Sequence, residues 1–496
     1  MPRDHTLCSA LTLDKIQLRP IPALLRTNKG PGSAAVGLTV AVTEAHRQRG
    51  RKAVLSSCSL SKHSTAHCCM AASRPCAPSL ANSILPAPVP RPIGWYPAQY
   101  ASANVKTKAA TLETPPKESP AALGFTMPGE FEKHAGCWMG WPDSPYLWRE
   151  QAKPAQEQYA AIATQISEFE PVTMMANPES ADEARSALSH AKNVSVVEIP
   201  IDDGWARDWG PSCVARDSDG HREVAGVHWD FNSYGGDIKK QMGQPAQVPD
   251  WTRDNAAGRR ILQHSGLKVF ESPLHLEGGS IHTDGEGTLI CTEQCLLHPS
   301  RNPHLGREGI EAALKEFLGL EKIIWLWRGM EGDEAITNGH VDNLACFICP
   351  GVVALSWTDD FNDSQWEVSN RAYDKLTSTP DAKGRSLQVI KVPCPPPLFR
   401  TYKETAGVAP DHIEKGYCPR IAGERLPASY INHYIANGGA VVPQFGAAAT
   451  DTDKRVLDVL SEAYGSERKV VGVSSREVLL NAGNIHCITQ QHPAAW

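Results

Sequence analysis

A cysteine near the end of the chain follows a turn of the kind that can present a reactive thiol. Cys487 lies in the run 484–489, after the apolar residues EVLL and the glycine-containing turn AGN. A thiol on such a turn is a candidate nucleophile, because nearby positive charge lowers its pKa and favours the thiolate. A lone free cysteine is more often a small buried core residue, so Cys487 needs partners before a catalytic role follows.

A second polar run, residues 337–343, contains His340 and Asp342. If this run is a strand, the two side chains share a face, since side chains alternate along a strand. Histidine exchanges protons near neutral pH, and Asp342 could bind a cation beside it. The alternative is a surface histidine next to a turn aspartate.

The run 202–211 follows the strand-like segment VSVVEIPI and combines three carboxylates with two indoles, namely Asp202, Asp203, Asp208, Trp205 and Trp209. A carboxylate binds a planar guanidinium through two parallel hydrogen bonds, and an aromatic face can stack on the same cation. We therefore consider Trp205 a candidate substrate contact. The alternative is a polar loop in which Arg207 forms an ion pair with Asp203.

Glu277 stands alone in the apolar, glycine-rich run LEGGSI. A buried carboxylate is costly unless it is paired, and a histidine or a cationic ligand would pair it. The alternative is a solvated turn residue.

The spacing of these candidates hints at repetition. The intervals between Asp208, Glu277, His340 and Cys487 are 69, 63 and 147 residues, and the last is about twice the others. From about Gly124, short β-branched runs alternate with segments of helical spacing. The run TLICTEQCLL is predicted as a strand, and the predicted helices are 157–169, 181–191, 308–319, 367–378 and 453–465. Asn437-Gly438 predicts a tight hairpin turn. The sequence therefore predicts an α/β domain of about five strand–helix modules.

Metal and phosphate chemistry are not favoured. Two cysteine pairs could be imagined as a zinc site, but both lie in apolar runs, and no glycine-rich phosphate loop is present. The pairs are Cys291 with Cys295 and Cys346 with Cys349. We expect neither a metal nor an organic cofactor.

Five motifs occur together in this chain: MPGEFEKHAGCWMGWP, WARDWGP, LEGGSIHTDG, TNGHVDN and GNIHCITQQ. In this set and order, residues 124–496 closely resemble the agmatine deiminases (agmatine iminohydrolases) of plants and bacteria. These belong to the bacterial-type peptidylarginine deiminase group of the guanidine-modifying superfamily. The resemblance implies a five-bladed, pseudo-symmetric α/β propeller (the pentein fold) of ββαβ modules.

The resemblance also implies roles for the candidate residues. Cys487 would be the nucleophile, His340 the general acid–base and Glu277 the carboxylate that orients His340. Asp208 and Asp342 would hold the guanidinium. The implied reaction converts agmatine to N-carbamoylputrescine and ammonia through a covalent cysteine intermediate, on the route to putrescine and the polyamines.

Selection of agmatine over arginine would need acidic residues near the ammonium end of the substrate, since these repel a carboxylate. Asp202 and Asp203 are the candidates. The sequence departs from the family pattern at Asn481-Ala482, where glycines are common, and a left-handed backbone angle at Ala482 would be costly. Thr or a smaller residue is also often found where this chain has Trp209.

Three other functions are alternatives to this one. A peptidylarginine or free-arginine deiminase would use the same residues on a different substrate. A papain-like hydrolase using Cys487, His340 and Asn343 has the wrong order of residues along the chain and leaves WARDWGP unexplained. A non-catalytic propeller that only binds a partner would not need both Cys487 and His340.

The front of the chain differs from the rest. Residues 1–112 contain 14 basic and 3 acidic residues, whereas residues 113–496 contain 35 basic and 52 acidic residues. We predict a basic, disordered extension and linker over 1–118 and a catalytic domain over 119–496. A transit peptide, a disordered extension and a misassigned start all fit the front.

The acidic body attracts a small cation and argues against nucleic acid. No apolar run is long enough to span a membrane. Fourteen cysteines in a long chain without a secretory signal indicate reduced thiols. We therefore expect a soluble intracellular enzyme of the plastid or cytoplasm, with a homodimer as one assembly open to it.

Overall fold

The computed structural model describes residues 118–496. The predicted extension therefore lies outside the described residues, except for its last position, and its interpretation as a transit peptide stays a prediction. In the described part, none of the helices has the length and apolar character needed to cross a bilayer. All nine cysteines of this part are free thiols, as expected for a chain without disulfides there.

Four of the five sheets in the described part share one topology. The first two strands pair antiparallel, and the third runs parallel to the second. The strands are β4 (Ser212–Ser218), β5 (His221–His228) and β6 (Lys268–Glu271); β7 (Ile281–Thr283), β8 (Thr288–Thr292) and β9 (Lys322–Leu326); β10 (Ala345–Cys349), β11 (Val352–Trp357) and β12 (Gln388–Pro393); and β13 (Tyr434–Ala436), β14 (Gly439–Gln444) and β15 (Lys469–Ser474).

The remaining sheet joins the two ends of the described chain. β16 (Thr489–Pro493) pairs antiparallel with β1 (His134–Gly140), which is followed in parallel by β2 (Val172–Ala176) and β3 (Val194–Glu198). The strand order β16-β1-β2 therefore repeats the pattern of the other four sheets. The pairing of β16 with β1 fixes the position of Cys487, which lies just before β16.

A helix connects the second and third strands of each repeat, because parallel strands need a crossover. The five crossover helices are α1 (Lys153–Ser167), α5 (Thr252–His264), α7 (Arg307–Leu318), α8 (Gln365–Ser378) and α9 (Thr450–Tyr464). Each buries an apolar stripe against its sheet. The shorter helices are α2 (Ala181–Ala187), α3 (Ala206–Trp209), α4 (Gly236–Gln241), α6 (Glu293–Leu296) and α10 (Arg476–Leu479).

Most of the predicted elements are confirmed, and the mixed α/β class is correct. The hairpin at Asn437-Gly438 joins β13 to β14 as expected. One strand prediction extends too far: in TLICTEQCLL the strand ends at Thr292 and α6 begins. The Thr292 side chain causes this ending, since it accepts a hydrogen bond from the Cys295 N–H and caps the helix.

The connections between successive sheets carry the candidate functional residues. Asp208 lies between β3 and β4, Glu277 between β6 and β7, and His340 between β9 and β10. Asn432 occupies the next connection, between β12 and β13, and Cys487 the last, between β15 and β16. The long interval between His340 and Cys487 therefore includes one further module, and the residue that this module places at the connection is Asn432.

Candidate active site

Cys487 lies in the turn between α10 and β16, and its thiol is buried. Asn432 Nδ2 donates to Sγ at 3.1 Å, and the thiol donates to Asp342 Oδ2 at 3.3 Å. Burial, followed by the charges of Asp342 and Asp208, raises the pKa of Cys487 well above its usual range. Both carboxylates therefore favour the neutral thiol.

His340 lies in a turn, so residues 337–343 do not form the strand that would place His340 and Asp342 on one face. Asn338 and Gly339 have φ of +62° and +84°, and a 3-10 turn, Val341–Asn343, follows. The backbone N–H of His340 donates to Asp333 Oδ2 at 3.1 Å. The left-handed pair reverses the chain, and this reversal directs the following residues into the site.

The imidazole of His340 lies between two carboxylates. Its Nδ1 is 3.7 Å from Asp208 Oδ1, and its Nε2 is 3.7 Å from Glu277 Oε2. Burial disfavours the charged ring, yet Asp208, Cys295 and Glu277 together hold the pKa of His340 well above its usual range. The two carboxylates therefore favour the protonated ring.

Glu277 has a cationic partner that the sequence did not reveal. Arg301 Nε lies 2.7 Å from Glu277 Oε1, and the whole guanidinium is buried. Arg301 also donates to Asn338 Oδ1 at 2.9 Å and to the Thr337 carbonyl at 3.0 Å. Burial opposes ionisation of Glu277, but Arg301 and His340 lower its pKa to about 2. Arg301 thus fixes both Glu277 and the turn before His340.

The two aspartates differ in how firmly they are ionised. Asp208 accepts hydrogen bonds from Tyr234 Oη at 2.7 Å and from the Gly279 N–H at 3.2 Å. Burial raises the pKa of Asp208 to about 6, with Asp342 adding to the rise. For Asp342, burial is outweighed by His486, whose Nδ1 lies 2.9 Å from Oδ2, and the pKa is lowered.

A cleft of about 240 Å³ reaches Cys487 and Asp208. Its lining residues are Trp205, Asp208, Tyr234, Gln247, Ile336, Thr337, Asn481, Ala482, Gly483 and Cys487. The Trp205 indole stacks on Trp148 with ring centroids 5.7 Å apart, and its Nε1 donates to Asp203 Oδ2 at 2.5 Å. A stacked aromatic pair thus lines one side of the cleft that reaches the thiol.

Asp202 does not reach this cleft, so its predicted contact with substrate needs correction. Its Oδ2 accepts hydrogen bonds from the backbone N–H groups of Arg253 and Asp254, at 2.8 and 3.1 Å, in the first turn of α5. A carboxylate is stabilised there because the orphan N–H groups of a helix start need acceptors. The alternative in which Arg207 pairs with Asp203 is not observed, because Arg207 binds Glu130 at 2.9 Å.

Comparison with known proteins identifies the family of this chain. The model of the Porphyromonas-type peptidyl-arginine deiminase family matches residues 126–493. The chain belongs to this family. It is 46% identical over 384 residues to the agmatine deiminase of Medicago truncatula, covering 76% of this chain and 99% of the relative.

Solved structures of other deiminases resemble the described fold. The agmatine deiminase of Enterococcus faecalis has a TM-score of 0.69 and 38% identity, covering 76% of this chain and 97% of that chain. A substrate-bound agmatine deiminase variant of C. jejuni has a TM-score of 0.60 and 25% identity, covering 75% of this chain and 96% of that chain.

Two buried clusters of this deiminase-family chain have donor atoms close enough to suggest metal ligation, Glu130–His282–His486 and Glu277–Cys295–His340. In the first, His282 Nδ1 accepts the Phe347 N–H at 3.2 Å. When Nδ1 accepts this hydrogen bond, the ring proton is on Nε2, which faces Glu130, and a protonated nitrogen cannot ligate. In the second, Arg301 already neutralises Glu277. Both clusters therefore fit proton and charge networks better than metal sites.

Gly279 is required where three functional side chains converge in this deiminase. A Cβ at this position would lie 2.6 Å from His340 Nδ1, 2.8 Å from Asp342 Oδ2 and 2.9 Å from Asp208 Oδ1. We expect Gly279→Ala to lower kcat/KM for agmatine by about 100-fold, the cost of a displacement of roughly 1 Å in an active site. Steady-state kinetics test this.

Gly306→Ala is the matched control for Gly279→Ala. A Cβ at Gly306 meets only Glu308 Oε2, at 3.5 Å, and its φ of −81° suits any residue. Its kinetics should match those of the unsubstituted protein. Equal activity of the two variants would contradict the claim that Gly279 sets the spacing of the site.

Ala482 has a φ of +68°, the left-handed angle that the sequence raised as a concern. The left-handed angle destabilises the folded state by roughly 1–2 kcal/mol when the residue is an alanine. A glycine removes this strain, but its greater conformational entropy in the unfolded state offsets about 0.5–1 kcal/mol of the stabilisation. We expect Ala482→Gly to increase the free energy of unfolding by about 0.5–1 kcal/mol, as measured by urea denaturation. Ala161→Gly, on the exposed face of α1, should instead lose about 1 kcal/mol. Equal losses in both variants would show that Ala482 is unstrained.

Proposed function

We propose that this chain is an agmatine deiminase that hydrolyses agmatine to N-carbamoylputrescine and ammonia, in polyamine biosynthesis. The observation that carries the proposal is a buried thiol in contact with one carboxylate, together with a second carboxylate beside a buried histidine ring. Asp342 contacts the Cys487 thiol, and His340 lies within 3.7 Å of Asp208. The relatives named agmatine deiminase support the same substrate.

The first half of the reaction uses the cation to activate the thiol. A guanidinium held by Asp208 and Asp342 cancels the negative charge that keeps Cys487 protonated, so the thiol proton leaves the site. The thiolate then attacks the central carbon and forms a neutral tetrahedral adduct. The His340 imidazolium protonates a terminal nitrogen, ammonia leaves, and a covalent amidinium on Cys487 remains.

The second half returns the proton to His340. The now neutral ring accepts a proton from water as the oxygen attacks the same carbon. The adduct collapses, the C–S bond breaks with its electron pair on Sγ, and the protonated urea loses its extra proton. Glu277, fixed by Arg301, stabilises the imidazolium that re-forms and orients the ring.

The cleft favours a substrate without a carboxylate. None of its lining residues, all in the described part of the chain, is a lysine or arginine that could pair with the α-carboxylate of arginine. Arg420 contacts one of the lining residues, since its Nη2 donates to Asn481 Oδ1 at 2.8 Å. This proximity keeps free arginine as the second candidate substrate, alongside peptidyl-arginine.

A substrate panel tests the assignment. Ammonia release is measured with agmatine, free arginine and a peptidyl-arginine at matched concentrations. We expect kcat/KM for agmatine to exceed the other two. Equal or faster turnover of arginine or the peptide would overturn the agmatine assignment but retain the chemistry.

The pKa of Asp208 predicts an acid limit to activity. A carboxylate must be ionised to hold the guanidinium, and Asp208 has a pKa of about 6 before substrate binds. We expect kcat/KM for agmatine to fall about tenfold per pH unit below pH 6, because the ionised fraction falls by that factor. A profile that stays flat down to pH 4.5 would contradict this role of Asp208.

We further propose that the five sheets form a five-bladed α/β propeller. The shared strand pattern and the convergence of the inter-sheet connections on one site support this arrangement.

The oligomeric state is proposed to be a homodimer, which light scattering on the purified protein measures. Plastid or cytoplasmic location is proposed from the basic front alone, and mass spectrometry of the natural N-terminus tests it.

A further inference from the structure

Two chains of buried charges end on the two aspartates of the cleft. The first consists of Arg301, Glu277, His340 and Asp208. The second consists of Arg207, Glu130, His486 and Asp342. Both have the order guanidinium, carboxylate, imidazole, carboxylate, yet only the first contains the acid–base of the proposed reaction. The second has no role in the steps described so far.

The second chain is continuous and closely spaced. Arg207 Nη1 lies 2.9 Å from Glu130 Oε1, and Glu130 Oε2 lies 2.9 Å from His486 Nε2. His486 Nδ1 lies 2.9 Å from Asp342 Oδ2, the same oxygen that the Cys487 thiol contacts. All five side chains are buried, so water does not screen their charges.

Both ring nitrogens of His486 face carboxylates. A neutral imidazole has only one N–H and would point a lone pair at one of the two anions. The geometry therefore requires an imidazolium. Burial and Arg207 oppose this charge, but Glu130 and Asp342 outweigh them and raise the pKa of His486.

We propose that Glu130 and His486 are positioning residues that keep Asp342 ionised and turned toward Cys487. This inference rests on the proposed function, in which Asp342 holds the cationic substrate. Glu130 keeps the His486 ring charged, the ring donates to Asp342, and Arg207 balances the charge of Glu130. The sequence neighbour of the nucleophile would thus serve the substrate-binding carboxylate rather than the thiol itself.

Other titratable groups lie near this second series of charges and affect the ionisation of its members. His282 Nε2 is 3.5 Å from Glu130, and its ring stacks on that of His486 at 6.0 Å. The remaining neighbours that interact electrostatically with Glu130, His486 or Asp342 are His340, Cys346, His433, Tyr464, Asp208 and Asp333.

The test compares a cationic and a neutral electrophile on the intact protein. Chloroacetamidine carries a charged amidine, whereas iodoacetamide is neutral, and both alkylate a thiolate. The ratio of their alkylation rates at Cys487 reports the negative charge of the carboxylates, which attracts the cationic reagent and, through the bound cation, favours the thiolate. In Glu130→Gln at pH 6 we expect this ratio to fall by about tenfold. The reason is that the ionised fraction of Asp342 drops about tenfold for each pH unit by which the pKa of Asp342 exceeds the assay pH.

Agmatine kinetics give a second readout. In Glu130→Gln the acid limb of kcat/KM should move to higher pH and steepen, because Asp342 then titrates together with Asp208. KM should rise more than kcat falls, since the proton-transfer residue is untouched. Glu130→Asp should recover part of the loss.

Glu170→Gln is the matched control. Glu170 is equally buried and also pairs with a histidine, His134 at 3.1 Å, outside the site. It should lose comparable stability and keep the reactivity ratio. If Glu130→Gln does not fold, His486→Gln gives the same reading, because it removes the charge and leaves an amide donor to Asp342.

An unchanged ratio and an unchanged acid limb in either folded variant would overturn the proposal. Alkylation needs no turnover. A wild-type protein that shows the cation preference but does not release ammonia from agmatine would therefore contradict the proposed function and leave this inference standing.

Discussion

Cys487→Ser is expected to lower ammonia release from agmatine by on the order of 10³-fold or more, the scale seen when a covalent nucleophile is removed. The hydroxyl does not ionise between the carboxylates, so no covalent adduct forms. Binding should persist, because Asp208 and Asp342 remain. Ammonia assays and calorimetric titration with agmatine measure the two effects.

Cys291→Ser controls for the burial of a hydroxyl. Cys291 lies in β8 and is fully buried away from the cleft. Its serine variant should lose stability but retain turnover. Substantial activity in folded Cys487→Ser would refute the nucleophile assignment.

His340→Gln is expected to lower kcat by about 10²–10⁴-fold, the contribution of a positioned general acid–base. KM should change much less, since the guanidinium is held by the aspartates. The covalent amidinium on Cys487 should also persist longer, because the second proton transfer is slowed. Rapid-quench kinetics separate the two half-reactions.

His134→Gln is the matched control for His340→Gln. His134 is buried and pairs with Glu170, which lies outside the proposed reaction. A kcat for His340→Gln close to that of His134→Gln would contradict the acid–base role of His340.

The strands and helices with clear apolar patterns were predictable from the sequence, whereas the polar strands were not. β16 is TQQHP, and four of its five residues are buried. No alternation marks it, because its pairing with β1 decides its environment. α5 was also missed, although it buries Ile261 and Leu262.

The site residues were predictable as a set but not as a geometry. Cys487, His340 and Glu277 fall in distinctive motifs, and the structure brings them together with Asp208 and Asp342. Tyr234, Arg301 and Asn432 were not predictable as partners, because each comes from a different connection and no local pattern joins it to the site. Glu130 and His486 lie inside the quoted motifs, but nothing in the sequence shows that they pair with each other and with Asp342. The partners missed are Glu130, Tyr234, Arg301, Asn432 and His486.

The doubled interval was the one signal that pointed to a missing contributor, and Asn432 fills it. Asp202 was misassigned for a related reason. Neighbouring aspartates look alike in a sequence, and only the position of α5 shows that Asp202 faces a helix start while Asp203 orients Trp205.

The central claim is that Cys487 forms a covalent intermediate with agmatine. Acid quenching of the enzyme during turnover, followed by peptide mass spectrometry, measures it most directly. We expect a peptide containing Cys487 whose mass has increased by that of agmatine less ammonia, with greater yield in His340→Gln and none in Cys487→Ser. Turnover of agmatine with no adduct on Cys487 in His340→Gln, or with an adduct on another residue, would contradict it.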